Sequence, residues 1–313
     1  MKKTPIIGAI GLGGESVFLS VDHFHAPGET LQAESIFLEP GGKAYNQAVA
    51  AKRLGAQVRF IGAMGADKGG DFCRDYLTAQ GIAPIIQVIS DANTAYACIL
   101  TDKTGENQVT VSRGASQKLT ADFIRSQEHE IQSCTHMLLG LECPLEATKA
   151  ALELCQKHGV FTILNPAPAI PLSLDLLQRF DLITPNLQEA TVLLGLPRPP
   201  EPAELARHLR QAGFSRALVT LGSRGCLLLD GEDALLYPAL PVKAVDTTGA
   251  GDTFNAALAV ALGFGSTLRE AVVYATNVSA YSVQHHHVMQ ALPTAADLAA
   301  VMRPVVPLVL DRA

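Results

Sequence analysis

Between residues 246 and 252 the chain reads DTTGAGD, and after Thr253 comes an apolar run, FNAALAVAL. Glycines at 249 and 251 let backbone approach a ligand closely, and the helix predicted by the apolar run begins with free N–H groups and the positive end of a dipole. Anionic groups collect at such a place. Asp252 there has two readings. As a cap it satisfies orphan amides; as a base it takes a proton from an attacking hydroxyl while the helix end steadies a transferred phosphoryl group. The loop alone leaves both open.

A second glycine-rich element stands far upstream, EPGGKAYNQAVAAKRLGA, again leading into a helix. Gly41 and Gly42 allow tight contact with a polyhydroxyl compound. Lys43 and Asn46 provide donors, and Asn46 also offers an acceptor. The plainer reading is an ordinary connection carrying a surface lysine. Two such loops together imply two ligands.

Elements able to position these residues are readable from periodicity. Short β-rich runs (PIIGAIGL, VRFIGAMG, THMLLGL, VFTILNPA, FDLITPN, ALVTLG) alternate with helix-period segments such as PLEATKAALELCQKHG and PAELARHLRQAG. That order predicts an α/β fold, a mainly parallel sheet with helices on both faces. Two stretches break the alternation, about 15–40 and 95–114, the second a hairpin turning at DKTGEN. They predict a small antiparallel β-lid, inserted into one enzyme-sized domain spanning 1–313. After Asp252 the pattern is helical, with Phe254, Ala257, Leu258, Ala261 and Leu262 on one face. The prolines of PRPPEP, 197–202, form a loop within the α/β region.

Composition narrows the partners. A net charge of -6 without long runs of one sign lacks the basic footprint that nucleic acid requires. No run of about 18 unbroken apolar residues exists to span a bilayer. The lysines and apolar residues at the start read as a first buried strand rather than a signal peptide. Cysteines 73, 98, 134, 143, 155 and 226 form no CxxC pair and no zinc-like cluster, so they read as buried hydrophobes in a reducing, cytoplasmic setting. A GxxxxGK[ST] loop is absent, and GLGG at 11–14 lacks dinucleotide spacing.

GGKAYNQAVAAKRLGAQVRFIGAMGAD and DTTGAGDTFNAALAVAL resemble the two signatures of the ribokinase-like PfkB sugar-kinase family. PGET, LECPLE, LNPAPA, ITPNLQEA and VTLGSRG follow in the family's order, nearly the whole chain long. The resemblance implies a Rossmann-like domain with a β-lid, transferring the γ-phosphate of ATP to a sugar hydroxymethyl, as for a ribose-like sugar giving the 5-phosphate. Asp252 matches the catalytic base, and Gly249, Ala250 and Gly251 the anion hole. Gly41, Gly42, Lys43, Asn46 and Glu142 match sugar-contacting positions. Asn186 and Glu189 match an Asn-x-x-Glu motif beside the phosphates and magnesium, which keeps much of its water. Thr220, Leu221, Gly222, Ser223, Arg224 and Gly225, with Gly251, match the nucleotide loop, and Thr276 a position beside adenine. Asp246 and Thr248 match a monovalent-cation site, with potassium the implied ion. Unpaired lid edges predict a homodimer.

The chain departs from the family at three places. Gly14, Glu15 and Ser16 stand where an Asn-x-Asp grips ring hydroxyls, which opens the substrate to a nucleoside, deoxyribose, fructose or another sugar derivative, with Glu15 a neighbouring substitute. Asp22 lies too far from the first strand to serve instead. Tyr45 in GGKAYN is read as core packing ahead of a wall of the pocket. His285, His286 and His287 replace a glycine-containing loop, ending in Ala291 where serine is common. Adjacent residues cannot all face one ion, so the histidines read as loop lining. His23 and His25 fall in the lid and read as strand-edge residues. A reading of another class is a non-catalytic sugar or nucleotide sensor.

Overall fold

The computed structural model describes residues 3–312. In chain order the strands are β1 Ile6–Ile10, β2 Gly14–Ser20, β3 Ser35–Gly41, β4 Gln57–Gly65, β5 Ala83–Ile89, β6 Ala95–Thr101, β7 Asn107–Ser112, β8 His136–Leu139, β9 Phe161–Leu164, β10 Leu182–Ile183, β11 Arg216–Thr220, β12 Cys226–Asp230, β13 Asp233–Tyr237 and β14 Leu308–Arg312. Six of them form a parallel sheet in the order β10-β9-β8-β1-β4-β5. A bridge between Asn186 and Thr220 leads from its β10 edge to the antiparallel sheet β11-β12-β13-β14.

Side-chain alternation divides the core between the two faces. Ile7 and Ala9 of β1 pack with the helices Lys43–Arg53, Ala250–Gly263 and Leu268–Ser282, whereas Ile10 packs with Leu145–His158 and Pro202–Gln211 on the other side. In β12 Cys226 and Leu228 take the first side, and Leu227 and Leu229 the second. Such strands are apolar on both faces because both are covered.

The helix Ala250–Gly263 departs from the one-faced pattern expected of it. All residues from Asp252 to Ala261 are buried, as befits a helix packed all round. Its small residues Ala256, Ala257, Ala259 and Ala261 admit close neighbours, and burying Leu258 alone is worth about 2 kcal/mol. Its first turn is therefore fixed in space by the packing of the whole helix.

Outside this body lies a third sheet, β3-β2-β6-β7. β2 pairs antiparallel with β3 and β6 antiparallel with β7, and the two pairs join along a parallel β2–β6 seam. The β6–β7 turn is built by Asp102, whose Oδ1 accepts from the amides of Thr104 at 2.8 Å and Glu106 at 3.1 Å, with Gly105 at φ 85°. His23 and His25 do not edge a strand: they sit in the exposed β2–β3 loop, where His23 lies between Asp22 and Glu29. Among the described residues no helix is long and apolar enough to cross a membrane.

Candidate active site

Gly249 caps the helix Ala250–Gly263 in the left-handed conformation, φ 73°, and a Cβ there would come within 2.7 Å of Val288. Only glycine tolerates both conditions. Asp252 sits inside the first turn and makes no capping bond. Its Oδ2 accepts from Asn46 Nδ2 at 2.7 Å, and its Oδ1 accepts a longer bond from Gln47 Nε2 at 3.4 Å. The cap reading falls away. Both donors belong to the helix Lys43–Arg53, so the two glycine-rich loops meet at this carboxylate.

Burial pushes the Asp252 carboxyl up, against the opposing pull of Lys43, Asn46 and Gln47. Lys43 responds in the other direction: Asp252, then Glu142 and Glu189, hold its ammonium charged to higher pH than usual. Glu142 accepts from the backbone amide of Lys43 at 2.9 Å, and burial together with Asp252 pushes it up to about 7. Three carboxylates thus converge on one lysine. Asn46 Oδ1, meanwhile, is buried without a partner. A buried acceptor left unpaired costs about 1–3 kcal/mol, which a ligand hydroxyl would recover.

Two cavities open on either side of the helix start. The smaller, about 240 Å³, is lined by Gly41, Gly42, Lys43, Asn46, Glu142, Gly249 and Asp252, with the outer sheet as its roof. The larger, about 580 Å³, is lined by Thr220, Gly222, Ser223, Gly225, Ala250, Gly251 and Thr276, among others. Residues 249–252 are the wall between them. A Cβ on Gly251 would meet nothing within 4 Å, so this wall is open at its thinnest point.

Not every expected residue reaches a cavity. Leu221 is buried, and Arg224 turns away to Glu201 at 3.2 Å. Gly42 holds φ 111° beneath the carbonyl of Leu12, and Gly225 holds φ 94° against that of Tyr237. Asn186 and Glu189 form a reciprocal capping box on the helix Leu187–Leu193, with bonds of 2.7 and 2.8 Å. Thr220 N donates to Pro185 O, bringing this box beside the 220–225 loop. Among the described residues no group of three or more His, Cys, Asp or Glu forms a metal cage. A cation carried on phosphates needs no such cage, only one or two carboxylates.

Asp246 staples its own neighbourhood, Oδ1 accepting from Thr248 N at 2.9 Å and Oδ2 from His287 N at 3.0 Å. His285 stacks on Tyr281, whereas His287, at φ 64°, stacks on Phe37 of β3 with centroids 4.0 Å apart. The histidine rings therefore face different partners. Tyr45 is fully buried, its hydroxyl donating to Cys73 O at 2.8 Å, so it lies in the core and off the cavity wall.

Sequence reasoning missed three members of this site. Gln47 bonds Asp252, and Asn165 accepts from Gln47 at 3.5 Å while donating to Thr184 O. Glu39, 3% exposed, accepts from the amides of Val288 at 2.8 Å and Met289 at 2.9 Å, tying the outer sheet to the segment beside Gly249. Gln47 adjoins Asn46, Asn165 lies within LNPAPA and Glu39 opens EPGGKAYN, which was the available signal.

Residues 6–295 match the pfkB family carbohydrate kinase. The chain is 35% identical to the ribokinase of Haemophilus influenzae over 298 residues, 94% of this chain and 96% of that one. It superposes on a crystal structure of ribokinase from Thermotoga maritima with a TM-score of 0.86, 32% identity, and coverage of 95% and 99%. For the Arabidopsis thaliana ribokinase complexed with ribose and ATP the TM-score is 0.87, at 25% identity, covering 96% and 99%.

Proposed function

The chain belongs to the pfkB family of carbohydrate kinases and is an ATP-dependent, ribokinase-like sugar kinase, and from that premise we propose how its residues divide the work. The smaller cavity takes the sugar and the larger one ATP. What carries this reading is the wall at 249–252: Gly249 and Asp252 face one cavity, Ala250 and Gly251 the other. A hydroxymethyl oxygen beside Asp252 lies in line with a γ-phosphate on the helix start.

Asp252 is the general base, with Asn46 and Gln47 holding its two oxygens in place. As the sugar oxygen bonds to the γ-phosphorus, its proton passes to Asp252 and the bond to the bridging oxygen of ADP breaks. Amides at Gly249, Ala250 and Gly251 receive the charge on the transferred group. Lys43, Asn46 and Glu142 orient the sugar, with Asn46 Oδ1 accepting from a hydroxyl; Gly41 and Gly42 let it approach. Thr220, Gly222, Ser223, Gly225 and Thr276 receive the nucleotide, while Leu221 and Arg224 shape the loop from behind. Glu189 and Asn186 would hold a magnesium ion through water, and the ion would supply positive charge to the phosphates. Asp246 and Thr248 border the place for potassium, each carboxylate oxygen retaining a lone pair beyond its amide bond.

The product of a pentose acceptor is its 5-phosphate. Residues 1–313 act as one kinase domain, with the outer sheet, about 15–40 and 95–114, as its lid. The lid's outer face exposes Ile36 (63%) and Leu38 (46%), which supports a homodimer through it. Six free cysteines suit the cytoplasm. Magnesium-dependent ADP release on adding a pentose tests the reading. Nucleotide binding without ADP release from any polyol or nucleoside would refute it in favour of a sensor.

A further inference from the structure

Three consecutive carbonyls in the wall between the cavities each accept a side-chain hydrogen bond. Thr253 Oγ1 donates to Gly249 O at 2.9 Å, Ser279 Oγ to Ala250 O at 3.2 Å, and Asn255 Nδ2 to Gly251 O at 2.9 Å. A carbonyl and the N–H of the next residue share one rigid plane. A donor on the oxygen therefore fixes where the hydrogen at the other end points. The three planes carry the amides of Ala250, Gly251 and Asp252, which lie in the first turn of the helix Ala250–Gly263, where N–H groups lack an intrahelical acceptor. Ala250 N is shared with Thr247 O at 3.2 Å, so the planes held by Ser279 and Asn255 present the less engaged amides.

Thr253 and Asn255 bond back one turn along their own helix, as threonine commonly does. Asn255 differs in what it costs. It is the one polar side chain between Phe254 and Leu262, and it is 1% exposed. Its Oδ1 is buried with no partner, so an apolar residue of the same size would suit the fold better. The bond to Gly251 O is what the side chain provides in return. Ser279 reaches over from another helix, Leu268–Ser282, and lines the larger cavity beside Thr276 and Ala280. The helix that walls the nucleotide cavity thus also holds the plane carrying the Gly251 amide.

Resting on the proposed phosphoryl path through this wall, we infer that Asn255 and Ser279 are positioning residues that aim the amides of Asp252 and Gly251 at the charge developing in the transition state. Removing an oxyanion donor outright costs about 10²–10³-fold in rate, and loosening one by releasing its carbonyl should cost about tenfold. Because the interaction is strongest in the transition state, the loss falls on kcat and spares KM. The test measures kcat, KM for ATP and for a pentose, and thermal melting in wild type, Asn255→Leu and Ser279→Ala. Asn255→Leu removes the orphan oxygen at similar volume and should melt at or above the wild-type temperature. Both variants should lose about tenfold in kcat with each KM within threefold of wild type. Either variant, folded and with kcat within twofold of wild type, overturns the inference, as does a rise in KM at unchanged kcat. If Asn255→Leu does not fold, Ser279→Ala decides by the same limits. Such failures leave the kinase assignment standing, whereas wild type releasing no ADP with ATP, magnesium and the pentose would remove it.

Discussion

Replacing Gly251 with alanine separates stability from catalysis at the wall between the cavities. A Cβ at this position meets no atom within 4 Å, and the residue is exposed with no positive φ. The methyl group therefore costs nothing in packing. Alanine's higher helix propensity should add about 0.5 kcal/mol near this helix end. Yet the open space it fills is where the phosphoryl group must pass. Displacing reacting atoms by about 1 Å costs on the order of 10²-fold in rate. Gly251→Ala should thus melt at or slightly above the wild-type temperature while kcat/KM for ADP release falls about 10²-fold. Gly249→Ala is the contrast: its φ of 73° costs about 1–2 kcal/mol and its Cβ meets Val288 at 2.7 Å, so stability and rate should fall together. A folded Gly251→Ala enzyme within threefold of wild type would refute the wall as the phosphoryl path.

Three further outcomes follow from individual environments. Glu142, pushed up to about 7 from 4.5, favours its protonated form in the folded state. Its stabilising contribution is thus fully present below pH 4.5 and is lost as pH rises through 7. Denaturant unfolding should show Glu142→Gln gaining stability relative to wild type between pH 5 and pH 8, by up to about 3 kcal/mol; a constant difference would contradict this. Tyr45→Phe removes the hydroxyl bond to the Cys73 carbonyl, which keeps its bond within the helix Lys68–Ala79, and urea titration should register a loss of about 1 kcal/mol, with no loss refuting the bond's contribution. Burial pushes the thiols of Cys73, Cys134, Cys155 and Cys226 up to about 12, and that of Cys143 up as well, whereas Cys98 is half-buried on the outer sheet. Mass spectrometry of the native protein after alkylation should find Cys98 modified first. Equal labelling of Cys73 would count against that packing.

The parts of the site carried by local chemistry were legible from the sequence. Glycines followed by a helical period announced both loops, and an apolar alternation announced the parallel strands. What remained hidden was chosen by distant partners. Gln47 finds Asp252 across 205 positions, and Glu39 finds Val288 across 249. No local pattern encodes such pairings. The β2–β6 seam was hidden for the same reason, since alternation reveals a strand's faces and not its neighbour. His287 looked like loop lining, yet its ring also closes over Phe37, a contact set by the lid's position. The closing strand β14 pairs with β13, some 70 residues earlier, beyond the reach of any local period.

The account rests on the carboxylate of Asp252 as the proton acceptor. Asp252→Asn keeps the side chain's size and the wall's shape while removing its basicity. Single-turnover phosphorylation by this variant, measured beside its affinity for ATP, tests the claim most directly. The rate should drop by about 10²–10⁴-fold with ATP affinity within threefold of wild type. A variant that phosphorylates its acceptor within fivefold of the wild-type rate would contradict the assignment.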